Sequence, residues 1–118
     1  MAKEHWPDWN VYIRDRASCV YCGLDGTADI RLWRQLQIDH VVPREAGGDD
    51  TRDNKVVSCV RCNVLKGRKD PRARIGTGND PDRSNLIQAA RDIISEAQTQ
   101  AKESADYALM MEEIRATH

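Results

Sequence analysis

Residues 36–69 read LQIDHVVPREAGGDDTRDNKVVSCVRCNVLKGRK, and the fold turns on how this stretch is divided. Leu36 to Val42 is rich in β-formers and stops at Pro43, which predicts a strand. Arg44 to Lys55 carries Gly47-Gly48 and four acidic residues, the composition of a long surface loop. Val56 to Ser58 is a short second strand. From Val60 to about Lys69 the pattern is helical, and Asp70-Pro71 ends it, because the residue before a proline avoids the helical region. Strand, loop, strand and helix make a unit too small to be held by its own core, so something else should clamp it.

The cysteines supply the clamp. Cys19-x2-Cys22 and Cys59-x2-Cys62 flank the unit with 36 residues between the pairs. Four thiolates can close a tetrahedral structural zinc site, and the long separation implies that a folded element lies between its halves. A redox dithiol would need only one pair; buried free thiols are the remaining alternative. Gly23, after the second cysteine, permits the positive φ of a tight knuckle turn.

Upstream, Trp6-Pro7-Asp8 reads as a helix start with Asp8 as N-cap. Trp9, Tyr12 and Ile13 give a short apolar stripe on a helix of about eight residues. Downstream, residues 71–81 (PRARIGTGNDP) are a linker by their Pro, Gly and Asn content. From Asp82 to about Thr117 apolar or small residues recur at Leu86, Ala90, Ile93, Ala97, Ala101, Ala105, Ala108 and Leu109. This is one long helix, or two broken near Ser104. The expected organisation is a domain over 1–70, with its core at about 36–69, a linker over 71–81 and a helical extension over 82–118. The extension either packs on the domain or serves a protein partner or self-association.

Composition bounds the function. The chain has 118 residues, 31% of them charged, no Phe and a net charge of −1, which describes a polar, thin-cored protein of one ordinary domain. No apolar run is long enough to span a membrane, and the first residues lack a secretory signal, so a cytoplasmic protein with no membrane partner is expected. In a reducing compartment the four cysteines point to metal ahead of disulfides. The charge is unevenly spread. Arg52, Lys55, Arg61, Lys66, Arg68, Lys69, Arg72 and Arg74 face only Asp53 and Asp70, a local balance of +6. Such a cluster is either a solvated face or a phosphate-contacting one.

Inside the clamp lie Asp39-His40-Val41-Val42-Pro43, Asn54, and Asn63 directly after the last cysteine. Singly, each has an ordinary structural reading: a hydrogen-bonded core histidine and its partner, a turn residue, a polar residue on a helix. Together they form an ordered series: Cys-x2-Cys, Asp-His-x2-Pro, a Gly-Gly loop, Asn, and Cys-x2-Cys-Asn-x2-Lys. From about Tyr12 to Lys69 the chain resembles the HNH endonuclease family, in its zinc-containing subgroup with Asn in the third motif position. The nuclease domain that cuts the target strand in RNA-guided effectors is similar in its Asp-His, Asn, Asn series, without needing the four cysteines.

The resemblance implies an α+β fold: a small, zinc-stapled ββα-metal (His-Me finger, treble-clef-like) domain with flanking helices and a long C-terminal helix. It implies a metal-dependent endonuclease acting on DNA, with double-stranded DNA the expected partner, that leaves 5′-phosphate and 3′-hydroxyl ends. A phosphodiester is anionic, so its hydrolysis needs a base for water and a cation for the charge gathered in the transition state. His40 takes the role of base, since neutral imidazole titrates in the right range. Asp39 and Asn63 offer oxygen ligands to Mg²⁺ or Mn²⁺, and Asn54 braces the loop and the base's ring. Lys66 shares a helix face with Asn63; Lys66, Arg68, Lys69 and Arg44 are the expected phosphate contacts. Many family members carry His where Asn63 stands, which favours Mg²⁺ or Mn²⁺ over softer ions. A phage or mobile-element origin is compatible with this reading. The alternative is a non-catalytic, zinc-stabilised nucleic-acid-binding or adaptor module.

One conflict is internal to this reading. Neighbouring strand residues point to opposite faces, so Asp39 and His40 can share a site only if the strand ends or bulges there.

Overall fold

The computed structural model describes residues 7–76 and 81–117. Trp6, at the proposed helix start, and residues 77–80 of the linker lie outside the described residues. Helix α1 spans Trp9–Arg14 and α2 spans Ile30–Trp33, a short turn of helix capped by the Asp29 carboxylate on Arg31 N. Strands β1 (Leu36–His40) and β2 (Lys55–Cys59) pair antiparallel, with Leu36 opposite Cys59 and His40 opposite Lys55. Helix α3 (Val60–Lys66) leaves β2 directly, and α4 (Arg83–Glu103) and α5 (Ala105–Thr117) complete the order.

The expected strand, loop, strand and helix are all present, in a small α+β fold with four clustered cysteines. Several boundaries differ for local reasons. β1 stops at His40, two residues short of Val42, because Val41 N turns to Asn54 O and Val42 N to the Asn54 side chain. The loop between the strands is partly organised, with 3₁₀ turns at Arg44–Ala46 and Arg52–Asn54. Helix α3 ends at Lys66, not near Lys69. Gly67, at φ 59°, leaves the helical path in a conformation that side-chain-bearing residues rarely adopt, so the stop precedes Asp70-Pro71.

At the N-terminus α1 has six residues, and Asp8 does not cap it with its side chain. That carboxylate instead takes the Lys55 ammonium at 2.9 Å. The buried residue of α1 is Val11, whereas Trp9 and Ile13 are exposed; a helix this short turns only one residue squarely onto the sheet. Tyr12 packs its ring on Trp33, centroids 5.3 Å apart.

Residues opposite one another in an antiparallel pair share a face. Asp39 and Val56 therefore lie on one side of the ribbon, and Ile38, His40, Val57 and Lys55 on the other. The Asp39 side carries the core: Val41, Val56, Tyr21 and three of the cysteines pack with Ile87, Ala90 and Ile94 of α4. On the other side α1 closes the ribbon, with Asp15 accepting from Val57 N at 2.9 Å and Arg14 donating to Arg52 O.

The segment after residue 70 is not a free tether over its first part. Pro71–Arg74 forms a 3₁₀ turn with Pro71 buried, and Arg74 forms a two-pronged ion pair with Glu96 of α4. The extension breaks at Ser104, as one of the two expectations had it. The apolar stripe is used only over its first half: Ile87, Ala89, Ala90, Ile93 and Ile94 are buried, whereas Ala101, Ala105, Ala108 and Leu109 are exposed. In α5 nothing is buried. Among the described residues no helix is long and apolar enough to cross a membrane.

Candidate metal and phosphodiester site

The cysteine knuckle begins at Cys19, where the chain folds back so that Gly23 N reaches Cys19 O and Cys19 N reaches Leu24 O. The second cysteine pair straddles the β2–α3 junction, with Cys59 as N-cap and its sulfur accepting from Cys62 N at 3.4 Å. All four sulfurs lie within 4.8 Å of one another, and Cys22 and Cys59 are 3.7 Å apart. Four sulfurs at roughly 2.3 Å from a tetrahedral zinc stand about 3.8 Å from each other, so the cluster fits such an ion. Burial pushes the Cys59 and Cys62 thiols up from their ordinary range. It pushes Cys22 the same way, but hydrogen bonds from Leu24 N, Arg61 and neighbouring thiols outweigh it and bring that group down to about 7.

A cleft of about 250 Å³ opens between β1, the start of the long loop and α3. Ile38, Asp39, His40, Pro43, Arg44 and Asn63 line it, with Lys66 and Arg68 along α3. Neither a bulge nor an early end of the strand brings Asp39 and His40 to one face, since pairing is regular as far as His40 opposite Lys55; instead the cleft takes three consecutive residues of β1, Ile38, Asp39 and His40.

Asp39 is 7% exposed. Its carboxylate accepts from the Tyr21 hydroxyl at 2.6 Å and faces the Lys66 ammonium at 3.2 Å. Burial, followed by the Asp39 charge, pushes the Tyr21 phenol far above its ordinary range, so it stays a proton donor. His40 turns the other way, with Nε2 at 2.7 Å from Asp50 Oδ1. Hydrogen bonds from His40 and then Arg44 hold the Asp50 carboxyl well below the usual carboxylate range. In a neutral ring a carboxylate at Nε2 places the proton there and leaves Nδ1 as an acceptor.

Asn54 fastens the loop to the end of β1: its amide oxygen accepts from Val42 N and its amide nitrogen donates to Val42 O and Asp49 O. Among the described residues Asn54 is hydrogen-bonded to the loop and not to the His40 ring, which Asp50 holds. Gly48 is needed beside it, since a Cβ there would stand 1.8 Å from Val42 O. Asn63 is half-buried in the cleft wall one residue past Cys62, so one turn of α3 serves both sites.

The basic cluster departs most from expectation. Lys66, an expected phosphate contact, is 0% exposed, and its ammonium is spent on Asp39 and on His40 O at 3.0 Å. Lys55, Arg68, Arg72 and Arg74 also sit in ion pairs, with Asp8, Glu45, Asp70 and Glu96. Lys69 is exposed but lies toward Glu96, whose carboxyl it helps hold down, and away from the cleft. Arg44 and Arg68 remain at the rim, both side chains largely exposed. A motif places charges along the chain but does not say which acids will meet them; Tyr21 and Asp50 were missed for the same reason, one hidden between two ligands and the other in an acidic loop.

Residues 19–69 match the family model described as HNH endonuclease. This segment is an HNH-family domain. Over 55 residues the chain is 40% identical to the CRISPR-associated endonuclease Cas9 of Corynebacterium diphtheriae, an overlap of 46% of this chain and 5% of that protein. The chain thus spans a small fraction of that relative's length. No solved structure matches the chain. The HNH segment contains both cysteine pairs, the whole ββα unit and every cleft residue named above. It leaves out α1 and the α4 face on which the knuckle rests.

Proposed function

We propose that the chain is a metal-dependent DNA endonuclease whose active site is the cleft around Asp39, His40 and Asn63. The observation that carries the reading is their convergence: a carboxylate, an imidazole held at Nε2 by Asp50 and an amide border one cleft within a segment that matches the HNH family. Zinc in the four-cysteine site is structural, because four sulfurs leave no open position.

Asp39 and Asn63 would hold one Mg²⁺ or Mn²⁺, as a carboxylate and an amide oxygen suit a hard ion. Bound there, the ion supplies positive charge for the phosphoryl oxygens and the leaving oxygen. Lys66 already neutralises Asp39, so the site shares its carboxylate between an ammonium and the ion. His40 takes the proton of the attacking water at Nδ1, while Asp50 fixes the ring. Arg44 and Arg68 grip flanking phosphates, and attack of the water on phosphorus opposite the 3′-oxygen breaks the P–O3′ bond, leaving a 5′-phosphate and a 3′-hydroxyl. Duplex DNA is the substrate class; Asp82 onward adds support and a surface for a larger assembly.

Incubation with supercoiled plasmid and Mg²⁺ or Mn²⁺ tests this. The wild type should nick or linearise, and His40→Ala should cut about 10²- to 10⁴-fold more slowly while still binding DNA. Equal cutting by the two proteins would remove the mechanism, and DNA binding without cutting by the wild type would leave a zinc-stabilised binding module.

A further inference from the structure

We infer that Tyr21 is a positioning residue for the metal-binding carboxylate, so that the structural zinc knuckle also sets the geometry of the catalytic cleft. The inference rests on the reading above that Asp39 is a metal ligand. Zinc binding asks nothing of the residue between Cys19 and Cys22 beyond fitting a turn, yet Tyr21 is 8% exposed and reaches 18 positions along the chain to Asp39. A phenol buried at this depth needs a partner for its hydroxyl, and here the partner is a carboxylate, which makes a strong, short hydrogen bond.

The two carboxylate oxygens are treated differently. Oδ2 receives the hydroxyl at 2.6 Å and the Lys66 ammonium at 3.2 Å. Oδ1 is met at 3.5 Å by Lys66, a long contact. Tyr21 thus pins one oxygen and leaves the other the less satisfied, which is the one a cation can take. The tyrosine is itself held from three sides. Val20 N donates to Val57 O at 2.9 Å, Arg91 of α4 donates to Val20 O at 2.7 Å, and the cysteines on either side close on Cys59 and Cys62. Val57 pairs with Ile38, the neighbour of Asp39. Knuckle, strand and carboxylate therefore form one short, rigid path.

The test is Tyr21→Phe in a His40→Ala background, which keeps the ring and its packing, loses the hydroxyl and cannot be confused by cleavage. Zinc content should stay at the His40→Ala value. Mn²⁺ binding, read by electron paramagnetic resonance of the free ion, should weaken about 10- to 100-fold, the usual effect of removing a group that orients a ligand. With His40 restored, the Mn²⁺ concentration for half-maximal nicking should rise while the rate at saturating metal recovers, a split that general loosening of the fold would not give. Unchanged Mn²⁺ affinity in Tyr21→Phe overturns the inference, provided that Asp39→Ala loses it. If Asp39→Ala also binds Mn²⁺ normally, the reading of Asp39 as a ligand falls first. Should Tyr21→Phe lose zinc, Tyr21→4-aminophenylalanine decides: it keeps a donor at the same place, and tenfold weaker Mn²⁺ binding in a zinc-loaded sample would overturn the inference.

Discussion

Replacing Lys66 by Met keeps most of the side-chain volume and removes the ammonium that faces Asp39. The charges are 3.2 Å apart and both side chains are nearly or wholly buried. At an effective dielectric of about 20, their attraction is about 5 kcal/mol, and breaking one side of a buried pair costs about 3–5 kcal/mol because the other charge is left behind. Tyr21 still donates to Asp39, so the lower figure applies. For a domain near this size about 3 kcal/mol lowers the melting temperature by at least about 12 °C. The zinc-loaded proteins should be melted in parallel by circular dichroism, with and without added Mn²⁺. Without it, Lys66→Met should melt far below the wild type. With it, the variant should recover more than the wild type gains, since a cation at 100 times its dissociation constant contributes about 2.7 kcal/mol and no longer competes with an ammonium. A variant that melts within about 2 °C of the wild type would refute the view that this pair holds the cleft together. Equal Mn²⁺ responses would refute the sharing of Asp39 between the two cations.

Arg44→Ala with Arg68→Ala should weaken binding to unrelated duplexes alike, and the slope of log affinity against log salt should become shallower by about 1.8, the value for two lost phosphate contacts; an unchanged slope would return both to a solvated rim. Zinc uptake by the reduced, metal-stripped protein should release protons and tighten as pH rises, because burial keeps Cys59 and Cys62 protonated without the ion. Calorimetry in buffers of different ionisation enthalpy measures this, and uptake without proton release would mean that the cysteines are not the ligands.

What could be read in the sequence was what repeats as a local pattern. The β-rich run into Pro43, the paired Cys-x2-Cys spacings and the Asp-His, Asn, Asn series each need only neighbours along the chain, and they placed both strands, α3, the cysteine cluster and most of the cleft. Partners distant in sequence were not legible. Nothing around Asp50 says that it, among four loop acids, meets His40, and nothing around Lys66 says that a lysine three residues from Asn63 turns inward. The helix pattern put Lys66 on the right face, but the face is covered: Asp39 supplies the counter-charge that lets an ammonium be buried. The same blindness made the cluster from Arg52 to Arg74 look like one positive surface, when Asp8, Glu45, Asp70 and Glu96 divide it into local pairs.

The core explains why the HNH segment is not the whole functional unit. Its own contribution under the Asp39 face is small: Val41, Val56, Tyr21 and the cysteine sulfurs. Ile87, Ala90 and Ile94 come from α4, beyond residue 69, and each branched side chain fully buried is worth about 1.5–3 kcal/mol. Arg91 of the same helix holds the Val20 carbonyl beside Tyr21. A zinc ion held by the four cysteines would fix where the two pairs sit relative to each other, but a tetrahedral ion would not stop the knuckle from tilting over the strand. The α4 face and the Arg91 contact do that. On the proposed reading, the position of the Asp39 carboxylate would therefore be set jointly by an ion at one end of the knuckle and by a helix across its back.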